Sequence, residues 1–480
     1  MVMRNKTKER DRISDHQRSF MGDIELITKD VPCTLTIAGS DSGGGAGIEA
    51  DLKTFAALGV FGTCAITAIT AQNTQGVYEI LPVPSRIVEK QIEVVLKDIP
   101  VKAAKTGMLY SGTTIEVVAE AIDRHKLQVV VDPVFKAGTG DLLIHERDKK
   151  ALIEKIVPRA FILTPNRPEA EEIAHSKIHD AEDVRRVAKH ITKLGAEAVV
   201  VKGGHLEGSE VTDVLYYKGE FKIFKKPRVV VDAHGGGCAF SAAVTAYLAL
   251  DHNVVEAVAK AEQFMQNAIM FGWRVGRGRV PVNPLANLYN EAEKFRVLEN
   301  VSAAARMVEE HSEFLPYIAE VGTQVAMALP HASTPQQVAA VEGRILKFRD
   351  TAKVTGSVRF GASSHVARIV LTAMKHDPSS RAALNLRYDP ELVRAFEKTG
   401  CVVCSFDRKL EPPKVKALEG GTLVWGVERA IKAVGKVPDV IFDLGEVGKE
   451  PMIRVLGSSA TSVVEKALTP ILGVKRKVEG

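Results

Sequence analysis

The sequence predicts an α/β protein, with a parallel sheet and crossover helices in its first half and a second, smaller α/β domain after it. Three observations carry that reading. Short β-branched runs alternate with helical patterns from Thr34 to about Phe271, and strands separated by helices pair in parallel through right-handed crossovers. Nearly every run ends in Gly, Asp, Asn, Gln or Lys rather than in bland turn residues. The alternation then breaks at Pro281-Val282-Asn283-Pro284 and the charged stretch Glu291 to Arg296, beyond which a new one begins.

Composition bounds the function. A chain of 480 residues suits two or three domains, and 45% hydrophobic with 26% charged residues is ordinary for a protein that buries real cores. A net charge of +5 is weak over this length; it allows phosphorylated small-molecule substrates and gives no argument for nucleic acid. The five cysteines are odd in number and scattered, which favours a reducing compartment and a cytoplasmic protein over a disulfide framework. The most apolar helix, 239–250, is too short to cross a bilayer, so no membrane partner is expected. Self-association is left open. Residues 1–30 are expected to form a disordered tail, with Met21 as an alternative start. Residues 31–285 form the first domain, 286–299 a linker and 300–480 the second domain.

Taking the chain in order, Thr34 to Ala38 reads as a buried strand, followed by the loop Gly39-Ser40-Asp41-Ser42-Gly43-Gly44-Gly45-Ala46-Gly47. Ile48, Leu52 and Phe55 recur at helical spacing, Glu49 and Lys53 pair at i,i+4, and Gly59 suits the helix end. The loop is neither a P-loop nor a G-x-G-x-x-G fingerprint. Thr63 to Thr70 is a strand leading to Gln72. Ala103-Ala104-Lys105-Thr106-Gly107-Met108 is a short strand end. Strands at 128–131, 161–163 and 198–201 lead into Asp132-Pro133-Val134, Thr164-Pro165-Asn166-Arg167-Pro168-Glu169 and Lys202-Gly203-Gly204-His205. In such sheets ligands bind beyond the carboxyl ends of the strands, so these tips are expected on one rim. Lys105, Glu207 and Asp213 read as solvated charges.

The β-branched run Val229 to Val231 leads through Asp232-Ala233-His234-Gly235-Gly236-Gly237-Cys238 into an apolar helix. Three glycines between strand and helix let backbone N–H groups approach an anion, and the helix dipole adds to that site. Cys238 stands at its mouth, where a helix N-terminus is expected to lower the thiol pKa. The plain alternative is a glycine turn beside a small buried thiol.

In the second half, Val358 to Phe360 is a strand entering Gly361-Ala362-Ser363-Ser364-His365. Ser363 or Ser364 would cap the following helix and His365 would lie in its first turn. Cys401 and Cys404 form a C-x-x-C with no second pair at zinc spacing, and read as core thiols. The stretch from Asp443 to Arg454 mixes glycine, charge and proline too densely for simple packing.

The motifs Ala38-Gly39-Ser40-Asp41-Ser42-Gly43-Gly44-Gly45-Ala46-Gly47-Ile48, Thr70-Ala71-Gln72-Asn73-Thr74, Lys105-Thr106-Gly107-Met108-Leu109, Asp132-Pro133-Val134 and Thr164-Pro165-Asn166 resemble those of the hydroxymethylpyrimidine and hydroxymethylpyrimidine-phosphate kinases of thiamine synthesis. The resemblance implies a ribokinase-like fold and two successive phosphorylations using ATP and Mg2+. It implies that Gly39, Asp41 and Gln72 bind the aminopyrimidine, with Met108 packed on its ring. Gly235, Gly236, Gly237 and Cys238 would form the catalytic anion hole. Lys202, Gly204 and Asn166 would meet the nucleotide, and Asp132 and Glu169 the metal. Two departures stand out: Ala233-His234-Gly235-Gly236-Gly237-Cys238 replaces the family's Thr-His-Gly-Thr-Gly-Cys, and Gly138-Thr139-Gly140 stands where Lys-Ser-Gly is usual, with Lys136 nearby as an alternative charge.

The motifs 361–368 and 448–457 look like the archaeal-type thiamine-phosphate synthase domain often fused to this kinase. That resemblance implies condensation of the pyrimidine diphosphate with thiazole phosphate. Arg344 and His365 are then the expected diphosphate-stabilising groups, with Ser363, Ser364, Lys449 and Arg454 as further substrate contacts. The alternatives are a non-catalytic thiamine-phosphate-sensing second domain and a pyridoxal-type kinase in the first.

Overall fold

The computed structural model describes residues 30–203, 208–416 and 420–478. The expected tail, Gly204 and Glu207 therefore lie outside the described residues, apart from Asp30 at the tail's end.

The first sheet contains β1 (Cys33–Asp41), β2 (Phe61–Gln72), β3 (Val77–Pro82), β4 (Val101–Thr106), β5 (Val129–Val131), β6 (Ile162–Leu163), β7 (Ala198–Val201), β8 (Glu210–Tyr217) and β9 (Glu220–Pro227). Their order is β3-β2-β1-β4-β5-β6-β7-β8-β9. Every pairing from β2 across to β7 is parallel. Hence Asp41, Gln72, Thr106, Asp132, Asn166 and Lys202 emerge at one edge of the sheet. The chain winds outward in both directions from β1 and β4, which makes their junction a topological switch point where a crevice opens. The antiparallel strands β3, β8 and β9 cap the two sides. The sequence reading missed all three; only β9, with Glu220, Lys222, Lys225 and Lys226, is dominated by charge.

The helix Gly236–Ala249 is hydrophobic on all sides, and its residues from Ala239 to Ala246 are all buried. It packs between β4, β5 and the helix Gly47–Ala57, so its N-terminus is fixed at the crevice. One strand expectation is corrected just before it. Val229 to Val231 form no strand, and Val230 is 95% exposed. No neighbouring strand offers that run hydrogen bonds, and propensity alone does not make a ladder. The extended piece lies slightly later, where β10 (Ala233–His234) pairs in parallel with β11 (Val280–Pro281).

Residues 286–299, expected as a linker, instead begin a continuous 25-residue helix, Ala286–Glu310. Its charged residues pair with one another on the solvent side, Lys294 with Glu291 at 2.7 Å and Arg296 with Glu293 at 2.8 Å. Val297, Val301 and Ala304 on the other side are fully buried in the second core. Each such valine contributes about 1.5–3 kcal/mol on burial, which is why the segment is ordered.

The second sheet comprises β12 (Val325–Ala328), β13 (Val338–Val341), β16 (Val358–Phe360), β17 (Ala382–Arg387), β18 (Val403–Ser405), β19 (Val440–Asp443) and β20 (Met452–Gly457), in the order β16-β13-β12-β17-β20-β19-β18. Only β18 and β19 pair in parallel. A hairpin of β14 (Ile345–Phe348) and β15 (Thr351–Val354) stands apart from it. Among the described residues, no helix is long and apolar enough to cross a membrane.

Candidate functional site

At the first crevice the polar tips converge as expected, but several serve different purposes. Asp41 is 2% exposed. Its Oδ1 accepts from Gly43 N–H at 2.8 Å, and its Oδ2 from Gly45 and Ala46 N–H at 3.0 and 2.8 Å. The same Oδ2 lies 3.1 Å from His234 Nε2. Burial pushes this carboxyl up, but the His234 contact and the loop N–H bonds outweigh it and hold it below the usual aspartate range. In this structure the hydrogen bonds of Asp41, expected at the substrate's ring edge, run to the glycine loop and to His234. Gln72 keeps a looser position, with Nε2 3.4 Å from His234 Nε2 and Oε1 3.3 Å from Thr70 Oγ1. Met108 is 7% exposed and packs with Ala68 and Leu143 beside Gly39. His234 links Asp41 to Gln72 and was given no role from sequence; its place beside three glycines was the available signal.

The turn at Gly235 is built from close approach. Gly235 has φ +76°, and a Cβ there would stand 1.8 Å from Gly45 O. Only glycine lets the anion turn and the first glycine loop pack against each other. The first bond within the helix runs from Ala239 N–H to Gly235 O, so the N–H groups of Gly236, Gly237 and Cys238 point out of its start. Gly236 faces open space, while Gly237 faces Lys202 Nζ and Asp132. Lys202 Nζ donates to Asp132 Oδ1 at 3.2 Å. Burial alone would lower the Lys202 ammonium, but Asp132 and Glu169 raise it above its ordinary value, so it stays charged. A lysine ammonium, a helix start and outward N–H groups together make an anion site.

Asn166 and Glu169 form a capping box on the helix Arg167–Ala174. Asn166 N–H donates to Glu169 Oε2 at 2.8 Å and Glu169 N–H to Asn166 Oδ1 at 3.0 Å. Burial pushes the Glu169 carboxyl up to about 8, against Lys202, which pulls it down. The N-x-x-E spacing thus has a structural use, while Lys202 and Asp132 lie close enough to act on the Glu169 carboxyl electrostatically. Among the described residues there is no group of three His, Cys, Asp or Glu side chains arranged for a metal. Magnesium in phosphoryl transfer is commonly held by one or two carboxylates and the nucleotide's own phosphates, and Asp132 with Glu169 fits that donor count.

Lys105 overturns the reading of it as a solvated charge. Lys105 and Asp51 are fully buried, with Lys105 Nζ 2.7 Å from both Asp51 oxygens and Thr36 Oγ1 donating to Oδ2 at 2.7 Å. Burial alone would depress the ammonium, but Asp51, then Cys238 and Asp132, raise it. Asp213 is also buried, accepting from Gly203 N–H at 2.6 Å and Lys226 Nζ at 2.8 Å.

The Cys238 thiol is corrected too. Burial pushes it up to about 11, although Lys105 pulls it down. The helix start does not offset that desolvation, so the thiol is protonated at neutral pH. Alkylation of Cys238 by iodoacetamide is expected to rise about tenfold per pH unit from pH 7 to 10 without a plateau, read by peptide mass mapping. A plateau near pH 7 would show a thiolate instead.

In the second domain, Arg344 and His365 leave β13 from opposite ends. Gly361, which leads to Ser363, Ser364 and His365, bonds Val338 O at one end, whereas Arg344 follows Val341 at the other. Arg344 has φ +92°, a backbone state costing a non-glycine residue about 1–3 kcal/mol. It is held there by Thr355 and by its own guanidinium on Val321 O. Ser363 caps the helix Ser364–His376 as expected, and Ser364 and His365 are exposed. Lys449 is exposed in the loop beside Glu450, whose carboxylate accepts from Glu320 and Val321 N–H. Arg454 is corrected from a substrate contact to a buried partner. It is 3% exposed, 2.7 Å from Asp443 Oδ2, and shares that carboxylate with Arg408. Cys401 and Cys404 are half-buried free thiols against the second core.

Residues 41–283 match the family model described as phosphomethylpyrimidine kinase, and residues 300–469 the one described as thiamine-phosphate synthase ThiN. The chain is similar to the bifunctional thiamine biosynthesis protein ThiDN of Methanocaldococcus jannaschii, 34% identical over 433 residues covering 90% of this chain and 96% of that protein. It is also similar to a hydroxymethylpyrimidine/phosphomethylpyrimidine kinase of Rhizobium meliloti, 45% identical over 255 residues, covering 52% of this chain and 95% of that one. Among solved structures, an ADP complex of Bacillus subtilis pyridoxal kinase matches with 35% identity and a TM-score of 0.50, covering 54% of this chain and 99% of that one.

Proposed function

From the premise that the chain belongs to the bifunctional family joining a phosphomethylpyrimidine kinase to a ThiN-type thiamine-phosphate synthase, we propose how its residues divide that work. The protein is a transferase of thiamine biosynthesis. Its first domain phosphorylates hydroxymethylpyrimidine and then the monophosphate, with ATP as donor. Its second condenses the resulting diphosphate with thiazole phosphate, giving thiamine phosphate and pyrophosphate.

The observation that carries the kinase assignment is the common rim. Gln72, Met108, Asp132, Lys202 and the start of the helix Gly236–Ala249 lie toward one edge of the sheet. The substrate ring would rest on Met108 and Gln72, with its alcohol turned toward Cys238. The N–H groups of Gly236, Gly237 and Cys238, with Lys202, would hold the transferring phosphoryl group. A protonated Cys238 would position the alcohol rather than take its proton. That suits a loose transition state, which needs little base assistance. Asp132 and Glu169 would hold Mg2+, which neutralises phosphate charge when the nucleotide is bound.

The second domain's chemistry needs cations to accept the leaving diphosphate. Arg344, held at its strained backbone angle beside Val321, is the first candidate; His365 serves from the other end of β13.

The test uses full-length protein with ATP, Mg2+, hydroxymethylpyrimidine and thiazole phosphate, following thiamine phosphate by mass. Cys238→Ala is expected to slow synthesis from the alcohol while sparing synthesis from supplied diphosphate. Arg344→Ala and His365→Ala are expected to do the reverse, with diphosphate accumulating. Equal loss at both steps in either class would defeat the division. Binding of thiamine phosphate without any condensation by the wild type would favour the sensing alternative. Phosphorylation of pyridoxal faster than the pyrimidine would favour the pyridoxal one.

A further inference from the structure

The two phosphorylations make different demands on one crevice. In the first, the acceptor is a neutral alcohol, which must lose its proton as the new P–O bond forms. In the second, a phosphate oxygen of the monophosphate attacks the terminal phosphorus of ATP. The new P–O–P link forms as the bond to the ADP oxygen breaks, and no proton has to leave. The second acceptor brings about one and a half to two negative charges toward a site already holding the nucleotide's phosphates. It needs a cation that the first does not.

Three loops meet at the rim of this crevice, and one arginine touches all of them. Arg279 N–H donates to Thr74 O at 2.9 Å, tying it to the segment after Gln72. Its guanidinium pairs with Asp232, Nε at 2.7 Å and Nη2 at 2.6 Å from Oδ1. Asp232 lies three residues before Gly235. The guanidinium also rests directly on Gly138, where a Cβ would stand 1.6 Å from Nη1. A side chain at position 138 would have to push the guanidinium aside, so the close approach depends on glycine there. Lys136 is exposed and lies in an isolated bridge with Leu142. The partner Asp232 is 72% exposed at its side chain, against 22% for Arg279. With the Asp232 carboxylate largely in solvent, its hold on the guanidinium is screened, and a phosphate can compete for it.

We propose that Arg279 is the specificity-determining cation that receives the substrate's phosphate in the second phosphorylation, exchanging Asp232 for it. The proposal rests on the kinase reading above and concerns only the acceptor of its second step. A charge-assisted bidentate contact contributes about 1.5–3 kcal/mol, equivalent to about 10- to 150-fold in affinity.

The test measures kcat/KM for the alcohol and for the monophosphate separately, together with calorimetric binding of the monophosphate alone. Arg279→Met is expected to raise the monophosphate KM at least tenfold and weaken its binding equally, with the alcohol step changed less than threefold. Arg279→Lys is expected to recover part of the loss, which also guards against misfolding of the methionine variant. Asp232→Asn removes the competing carboxylate and is expected to tighten monophosphate binding. Equal loss for both acceptors in Arg279→Met, or weaker monophosphate binding in Asp232→Asn, would mean that the pair only fastens loops, and the proposal falls. If wild-type protein phosphorylates neither acceptor, the kinase reading itself has failed.

Discussion

Lys105→Met is expected to leave the first domain unfolded, or melting far below the wild type. Removing one partner of a buried ion pair strands the other, at a cost of about 3–5 kcal/mol, against a total stability of about 5–15 kcal/mol for a typical domain. Asp51 would keep only the Thr36 hydroxyl, because no water reaches a carboxylate that is fully buried. Burial already pushes the Asp51 carboxyl up against the pull of Lys105, and with Lys105 gone it would rise further above its unfolded value. Above that folded pKa the native state must hold an unpaired charge; below it the carboxyl is neutral. The deficit relative to wild type should therefore shrink as pH falls from 8 to 5. Urea unfolding at both pH values, followed by a probe in the first domain, reads the difference. The double variant Asp51→Leu, Lys105→Met removes both charges and should recover part of the loss. A single variant as stable as wild type would mean the pair is not closed as described.

Gly235→Ala is expected to lower phosphorylation of the pyrimidine by about 100-fold or more, the scale on which losing anion-hole donors acts. The added methyl would sit 1.8 Å from Gly45 O, at a φ of +76° that alanine disfavours. Either the turn or the glycine loop must move. Both line the crevice, and Asp41 holds the loop through three backbone N–H groups. Condensation from supplied diphosphate should be unchanged, because that chemistry lies in the other domain. Comparing the two assays on the same preparation separates a local effect from general unfolding. A wild-type kinase rate would show that the close approach is not required.

Much of the first domain could be read directly. The alternation of runs and helices gave a parallel sheet, and the polar tips after each run gave its working edge. A period of 3.6 and a glycine before a helix are local facts, written in consecutive residues. What could not be read was where a charge points. Lys105 in Ala103-Ala104-Lys105-Thr106 has the same letter as a solvated lysine, and only Asp51, 54 positions earlier in the chain, gives it a buried partner. Asn166 and Glu169, expected at the nucleotide and at the metal, also cap a helix. That use was legible in the S/T/N-x-x-E spacing itself, but it competed with a functional reading of the same residues.

The second domain was less transparent. Its sheet is mostly antiparallel, so strand order and direction depend on turns such as Gly343-Arg344 and not on a repeated crossover. Arg344 and His365 are 21 positions apart in sequence, yet the register of β13 sends them from opposite ends. Arg454 read as a functional arginine, but pairing between β17, β20 and β19 turns it onto Asp443.

By itself the sequence determined the parallel strands from β1 to β7 and the helix after the three glycines, though not the pairing at 229–234. It also determined which residue types stand at their ends, because those depend on neighbours within a few positions. The tertiary structure alone decided which of those ends keep their charge. The Cys238 proton, the Asp41 hydrogen bonds and the buried Lys105 follow from desolvation and from partners brought close by packing. Both fall off within a few ångströms in space, whatever the distance along the chain.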